Sequence, residues 1–181
     1  MPNPVLLSDL TTLRLGGPAP DLTTVRTANE VADAVGAADR AGSGVLILGG
    51  GSNLVVADAG IDTPIIQIGI RGIRIERRGD GTASVTVGAG EPWDEVVAQL
   101  TAEGLGELAT LSGIPGSTGA TPVQNVGAYG TEIADVLTGV TIYDRSTGAT
   151  TAIRSSVRLK RRCPALTNSG AACSTFLAAG G

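Results

Sequence analysis

The first clear pattern of apolar and polar positions along the chain is helical. Val31, Ala34, Val35 and Ala38 recur at helical spacing, with Asn29 placed to cap the first turn, Glu30 beside it and Gly42 just past the end. Val45 to Leu48 is then an unbroken apolar run closed by Gly49-Gly50-Gly51, which predicts a strand covered on both faces that ends in a glycine loop. A second apolar run, Pro64 to Ile70, follows. Residues 1–70 are therefore expected to form a small α/β unit.

The period then changes from 3.6 to two. Ile73 and Ile75 alternate with Arg74 and Glu76, Arg78-Gly79-Asp80-Gly81 supplies a turn, and Ala83, Val85 and Val87 alternate with Ser84 and Thr86. This predicts a hairpin. Pro92 leads into Trp93, Val96, Val97 and Leu100 at helical spacing, with Gly104 as the stop. Val140 to Tyr143 and Thr150 to Ile153, joined through Asp144 to Gly148, predict a second hairpin and close an α+β unit over residues 71–156. Between helix and hairpin, Thr110 to Gly130 is rich in glycine, serine and proline, far longer than the usual connection of about 4–6 residues, and so is expected to be functional. Residues 157–181 differ in kind: Arg158, Lys160, Arg161 and Arg162 bunch together and periodicity is weak. An atypical tail of this sort is what a frameshifted or degraded gene end gives.

Composition narrows the chemistry. Aromatics make up only 2% of a chain that is 42% hydrophobic, so the core must rest on Val, Ile, Leu and Ala, and 27 glycines leave many backbone positions open to close approach. A net charge of -4 argues against a phosphate-backbone partner, and nucleic acid is excluded as the main ligand. No run approaches the roughly 20 apolar residues needed to span a bilayer, and no secretory leader precedes Leu10, which together predict a cytoplasmic monomer without a membrane partner. The chain has no histidine, which removes the Ser-His-Asp triad and most transition-metal sites. No metal is expected. Cys163 and Cys173 match neither a disulfide scaffold nor a zinc site.

Two glycine loops remain. A buried strand running into Gly49-Gly50-Gly51-Ser52-Asn53 offers several backbone N–H groups to a diphosphate, although neither the Rossmann fingerprint nor a Walker loop is present. Read alone, this string is as readily a structural tight turn. The second loop reads Ser112-Gly113-Ile114-Pro115-Gly116-Ser117-Thr118-Gly119-Ala120, then Pro122-Val123-Gln124-Asn125-Val126-Gly127-Ala128-Tyr129-Gly130. Its glycines let backbone lie against a flat or charged ligand, and Gln124, Asn125 and Tyr129 offer donors and acceptors to a heterocycle.

Taken in order, four segments resemble the signatures of the UDP-N-acetylenolpyruvoylglucosamine reductase (MurB) family. They are Thr12-Leu13-Arg14-Leu15-Gly16-Gly17-Pro18-Ala19, Leu48-Gly49-Gly50-Gly51-Ser52-Asn53-Leu54, Gly88-Ala89-Gly90 followed by Trp93, and Ile114-Pro115-Gly116 through Tyr129-Gly130. The resemblance covers roughly Leu13 to Ile153. It implies the two-subdomain FAD-binding fold of the vanillyl-alcohol-oxidase (PCMH) type, an α+β architecture here lacking the family's C-terminal substrate domain.

By that resemblance, Gly49 to Leu54 hold the pyrophosphate of FAD, and Ser112 to Gly116, Gly119, Ala120, Gln124, Asn125 and Gly127 to Gly130 line the rest of the cofactor. The implied activity is NADPH-dependent reduction of UDP-GlcNAc-enolpyruvate to UDP-N-acetylmuramate in peptidoglycan synthesis. In the family an arginine and a glutamate stabilise the intermediate and a serine protonates it. Arg162 falls on that arginine, with Lys160-Arg161 in front of it where the family has Gly-Tyr. Read from the residues alone, Arg162 is equally one solvated charge in a basic run. The serine and the glutamate have no counterparts, so the alternative expectation is an FAD-binding remnant, inactive alone.

Overall fold

The computed structural model describes residues 5–154 and 176–180. Strand β1 (Val5–Leu6) pairs antiparallel with β2 (Pro18–Ala19). Then come β3 (Leu22–Val25), helix α1 (Ala28–Arg40), β4 (Leu46–Leu48) and β5 (Ile65–Ile68). The last three strands form a parallel sheet in the order β3-β5-β4. Successive residues of β5 face opposite sides. Ile66 and Ile68 join Val31 and Val35 of α1, while Ile65 joins Leu7, Leu48 and Val56 on the other face. The expectation of a strand covered on both sides holds for β4, because Ile47 packs toward the α1 cluster and Leu46 and Leu48 toward the opposite one.

Helix α1 begins two residues earlier than a cap at Asn29 suggests. Thr27 is the cap: its extended backbone lets the hydroxyl accept from Glu30 N–H at 3.1 Å, and the Glu30 carboxylate turns back to accept from Arg26 N–H at 2.7 Å. Thr27-Ala28-Asn29-Glu30 is thus a variant of the Ser/Thr-x-x-Glu capping box, which puts Asn29 inside the first turn.

The second unit starts with the hairpin β6 (Ile73–Arg77) and β7 (Ala83–Val87), paired antiparallel. Helix α2 (Trp93–Ala102) follows and ends at Gly104, whose φ of 81° admits the Schellman bonds Gly104 N–H to Thr101 O and Leu105 N–H to Leu100 O. Next come β8 (Gly127–Ala128), β9 (Thr131–Glu132), the single turn α3 (Ile133–Val136), β10 (Leu137–Asp144) and β11 (Ala149–Arg154). Strand β12 (Phe176–Gly180), from the stretch expected to be an atypical tail, lies between β10 and β7. The resulting antiparallel sheet has the order β11-β10-β12-β7-β6. Trp93, Val96, Val97 and Leu100 of α2 bury against Val85 and Val87 of β7 and against Leu108, Leu111, Ile133 and Leu137.

The two sheets are tied by buried residues. Ala89 and Tyr143, which follow β7 and lie in β10, belong to the same cluster as Val31 and Ile66 of the first unit. Gly36 of α1 leaves room for the Tyr143 hydroxyl, which would stand 3.2 Å from a Cβ there. Arg145, just past β10, donates its Nε to both Asp39 carboxylate oxygens at 3.0 and 3.1 Å, holding that carboxyl below its ordinary range.

The segment Thr110 to Gly130 is not a free loop. It runs from the end of a 3-10 turn at Gly106–Leu111 through a second at Thr118–Ala120 into β8, which pairs with β9.

Candidate functional site

Parallel α/β sheets bind ligands outside the carboxyl ends of their strands, because there the loops diverge and leave a crevice. Such a cleft, of about 550 Å³, opens here where β3, β5 and β4 end. Arg26 follows β3, Gly69 follows β5, and Gly49 and Gly50 follow β4; all four line it. Asp9 to Thr12 of the N-terminal segment form one side, and Arg71, Gly90, Pro92, Gly116 and Ser117 of the second unit form the other. Arg26, Arg71 and Asp9 are the charged residues of its lining, and Arg71 is paired with the Glu91 carboxylate at 3.1 Å.

The first glycine loop is shaped by close backbone approach. A Cβ on Gly50 would lie 2.6 Å from the Gly116 carbonyl carbon and 2.7 Å from Ser117 N, so the two glycine loops meet main chain to main chain. Gly51, at φ 63°, turns under Leu10, where a Cβ would fall 2.1 Å from the carbonyl oxygen. Its own carbonyl accepts from Thr12 N–H at 3.1 Å, which binds the Thr12-to-Ala19 signature to the loop. Ser52 abuts Gly116, and Leu54 packs into the cluster around Leu7. Within the described residues the backbone amides of Ser52 and Asn53 form no hydrogen bond.

The second loop is moored by residues 89–94, immediately before and at the start of α2. The Asp94 carboxylate accepts from Gly113 N–H at 2.6 Å and from the Ser112 hydroxyl at 2.8 Å, bonds that hold its carboxyl below the usual range. Trp93 donates its backbone N–H to Gly116 O at 3.0 Å and its indole N–H to Leu111 O at 3.0 Å. Glu91 O receives Thr118 N–H and Ala89 O receives Gly119 N–H, each at 2.8 Å. The signatures Gly88-Ala89-Gly90 with Trp93 and Ile114-Pro115-Gly116 are therefore two halves of one scaffold.

Only part of the expected set reaches the cleft wall. Gly49, Gly50 and Gly116 line it. Ile114 packs against the α2 cluster, Pro115 is exposed, and Ala120 donates its N–H to Ser117 O at 3.0 Å. Gln124 is exposed, and the Asn125 side chain is taken up by the Glu132 carboxylate at 2.7 Å and Ala134 N–H at 3.2 Å. Gly127 and Ala128 form β8, and the tight turn after them, Tyr129-Gly130, has positive φ at both residues and leaves Tyr129 93% exposed. Arg162 lies outside the described residues. Sequence reading passed over Ser117, Arg26 and Arg71. Ser117 sits inside a quoted motif, whereas the two arginines are recognisable only by following strand ends.

The site suits a dinucleotide. Gly49 and Gly50 of one loop and Gly116 of the other leave the cleft wall without side chains there, so that a diphosphate can approach the main chain, with Arg26 and Arg71 in the same lining. Among the described residues no group of His, Cys, Asp or Glu could hold a metal, and no helix is long and apolar enough to cross a membrane.

Comparison with known proteins agrees with this geometry. The UDP-N-acetylenolpyruvoylglucosamine reductase of Saccharopolyspora erythraea is 55% identical over 148 residues, 82% of this chain and 40% of that protein. The reductase of Streptomyces coelicolor is 50% identical over 147 residues, 81% of this chain and 37% of its own length. The chain thus spans about two fifths of the length of these curated relatives. The crystal structure of MurB from Thermus caldophilus superposes with a TM-score of 0.74 at 28% identity, covering 99% of this chain and 62% of that one. Cholesterol oxidase from Brevibacterium sterolicum superposes with a TM-score of 0.61 at 18% identity over 88% of this chain and 34% of its own, which shows a shared fold. Residues 22–154 match the family described as FAD binding domain, and with the cleft, loops and fold in agreement the chain belongs to that family.

Proposed function

We propose that this chain is the flavin-binding part of an NADPH-dependent reductase that converts UDP-GlcNAc-enolpyruvate to UDP-N-acetylmuramate in the cytoplasm, residues 1–70 and 71–156 serving as the two halves that clasp FAD. The observation that carries this reading is the meeting of the two glycine loops at the carboxyl ends of a parallel sheet, in a chain about half identical to such reductases over four fifths of its length.

The chain's own residues bind and orient. Backbone amides of the Gly49-to-Asn53 loop receive the diphosphate, and Arg26 and Arg71 balance its charge. The Glu91 carboxylate fixes Arg71 through its Nη1 at 3.1 Å while accepting Gly72 N–H at 2.6 Å, so that cation is aimed before a ligand arrives. Asp94 holds the start of the second loop in place. FAD, when bound, supplies the hydride chemistry, taking a hydride from reduced nicotinamide and passing it to an electron-poor double bond. Arg162 is the residue proposed to attract the substrate carboxylate.

The alternative is the FAD-binding module without turnover by itself that the sequence reading also allowed. One experiment separates the two. Purified chain is loaded with FAD and mixed anaerobically with NADPH and then with UDP-GlcNAc-enolpyruvate. Flavin bleaching followed by substrate-dependent reoxidation supports the reductase; a yellow protein whose flavin neither bleaches nor reoxidises supports the module. Absence of any bound flavin would sink both.

A further inference from the structure

Strand β6 is an outer strand of the five-stranded sheet, and its pairing with β7 fixes which of its backbone groups remain free. Gly88 N–H donates to Gly72 O at 2.8 Å and Arg78 N–H to Thr82 O at 2.8 Å, so hydrogen-bonded pairs stand just outside both ends of the strand. Between them the register is unbroken, from Ile73 opposite Val87 to Arg77 opposite Ala83. Hydrogen-bonded and non-hydrogen-bonded pairs alternate along an antiparallel ladder, so Arg74 and Glu76 direct their N–H and C=O to β7. Those of Ile73, Ile75 and Arg77 point to the open edge, where among the described residues no strand pairs with them.

The side chains match that free ladder to a copy of itself. Arg74 and Glu76 are exposed and paired with each other, while Ile73 and Ile75 are half buried against the α2 cluster. Open edges are commonly blunted by lysine, proline or a bulge; β6 has none of these, and its charges are of both signs. A second copy related by a two-fold axis through Ile75 lays its own β6 antiparallel alongside. Ile75 then meets the partner's Ile75 and Ile73 the partner's Arg77, so every N–H and C=O left at the edge finds its complement. Arg74 meets the partner's Glu76, and Glu76 the partner's Arg74, in the non-hydrogen-bonded positions where facing side chains stand closest. An axis through residue 74 would instead oppose two arginines, and one through residue 76 two glutamates, each with fewer backbone bonds. Charge and hydrogen bonding therefore favour the same register. The opposite edge, β11, carries Arg154 as its sole charge and has no such match. We propose that β6 is a self-association edge, through which two copies of this chain join their five-stranded sheets in the register centred on Ile75. The contact is narrow, so the dimer is weak and concentration-dependent, in place of the monomer expected from the sequence.

Sedimentation velocity of the full chain, from about 5 μM to about 1 mM at low salt, should show a monomer passing into a dimer, with association weakened by added salt. Arg74→Glu and Glu76→Arg each set like charges against each other at both facing positions and should weaken self-association by about 10-fold or more. Mixed in equal amounts, those two variant chains present complementary edges and should associate with each other as well as the unchanged chain does with itself. That recovery also shows that neither variant has merely lost its fold. As concentration rises, the amides of Ile73, Ile75 and Arg77 should gain protection from hydrogen exchange, while those of Arg74 and Glu76, already bonded to β7, hold steady. A chain that stays monomeric throughout the range overturns the proposal. So does a dimer that both single variants leave intact, or a mixture of the two that fails to associate.

Discussion

Replacing Gly50 by alanine tests the contact on which the cleft depends. Gly50 is not at positive φ, so the substitution adds no backbone strain and acts only through one methyl group. That methyl would lie 2.6 Å from Gly116 C, 2.7 Å from Gly116 Cα and 2.7 Å from Ser117 N, all main-chain atoms that no rotamer change can move aside. Optimal carbon contacts are about 3.5–4.0 Å, so the loops must part by roughly 1 Å. The second loop cannot shift freely, because Trp93 N–H holds Gly116 O at 3.0 Å and Glu91 O holds Thr118 N–H at 2.8 Å. Parting them also lengthens the Gly50-to-Ser117 bond. Overpacking of about 1–3 kcal/mol plus one or two weakened hydrogen bonds at about 1 kcal/mol each gives about 2–5 kcal/mol. For a domain of this size that is a fall in Tm of about 4–20 °C. The assay is urea and thermal unfolding of Gly50→Ala beside Gly79→Ala, which has nothing within 4 Å of its Cβ and should change stability by less than about 0.5 kcal/mol. FAD affinity, measured alongside by flavin fluorescence, should fall for Gly50→Ala alone. Equal stability and equal flavin affinity for the two variants would refute the claim that the loops meet backbone to backbone.

Three further outcomes follow from the same geometry. Thr27→Ala removes the α1 cap and should cost about 1 kcal/mol in urea unfolding, with Asn29→Ala costing clearly less; the reverse order would restore Asn29 as the cap. Asp94 has its carboxyl depressed by Gly113 N–H and the Ser112 hydroxyl, so its contribution is present above the ordinary aspartate range and is lost as pH falls through the depressed value. The amide resonance of Gly113 should accordingly hold steady through neutral and mildly acidic pH and move only in the acid range, a step that Asp94→Asn abolishes; a transition above pH 6 would contradict the assignment. A double-mutant cycle of Asp39→Ala and Arg145→Ala should return a coupling of about 0.3–1 kcal/mol, reduced by salt, and a coupling indistinguishable from zero at low salt would mean that the pair does not help to join α1 to the second sheet.

Much of this could be read from the chain, for local reasons. Helix α1 follows from its 3.6 period and α2 from Trp93, Val96, Val97 and Leu100, and the stop at Gly104 follows from the left-handed residue that a Schellman motif requires. The β6–β7 and β10–β11 hairpins need only alternation and a turn of few residues. The glycine strings announced backbone that must lie against something, and their order carried the family resemblance. What sequence reading missed depends on partners far along the chain. Strand β3 is four residues, Leu-Thr-Thr-Val, and becomes a strand by lying parallel to β5, forty-odd positions away. Thr110 to Gly130 looks like open loop because its short turns carry no apolar period and the bonds that moor it go to residues 89–94. The partners of the Asn125 side chain, the Glu132 carboxylate and Ala134 N–H, and the exposed place of Tyr129 on a hairpin tip are likewise set by the fold.

The cleft is the clearest case of the division. Composition and spacing determined that some backbone here must be free of side chains, since only glycine gives that and it acts at its own position. Tertiary structure decided which two glycine strings would face each other, which strand ends would deliver Arg26 and Gly69 beside them, and that Ser117 would accept the Gly50 amide. A turn or cap is stabilised within a few residues and so leaves its mark in the local sequence. A cleft between two sheets is set by packing of clusters that draw on Val31, Ile66, Ala89 and Tyr143 together, and no local stretch of the chain contains that sum.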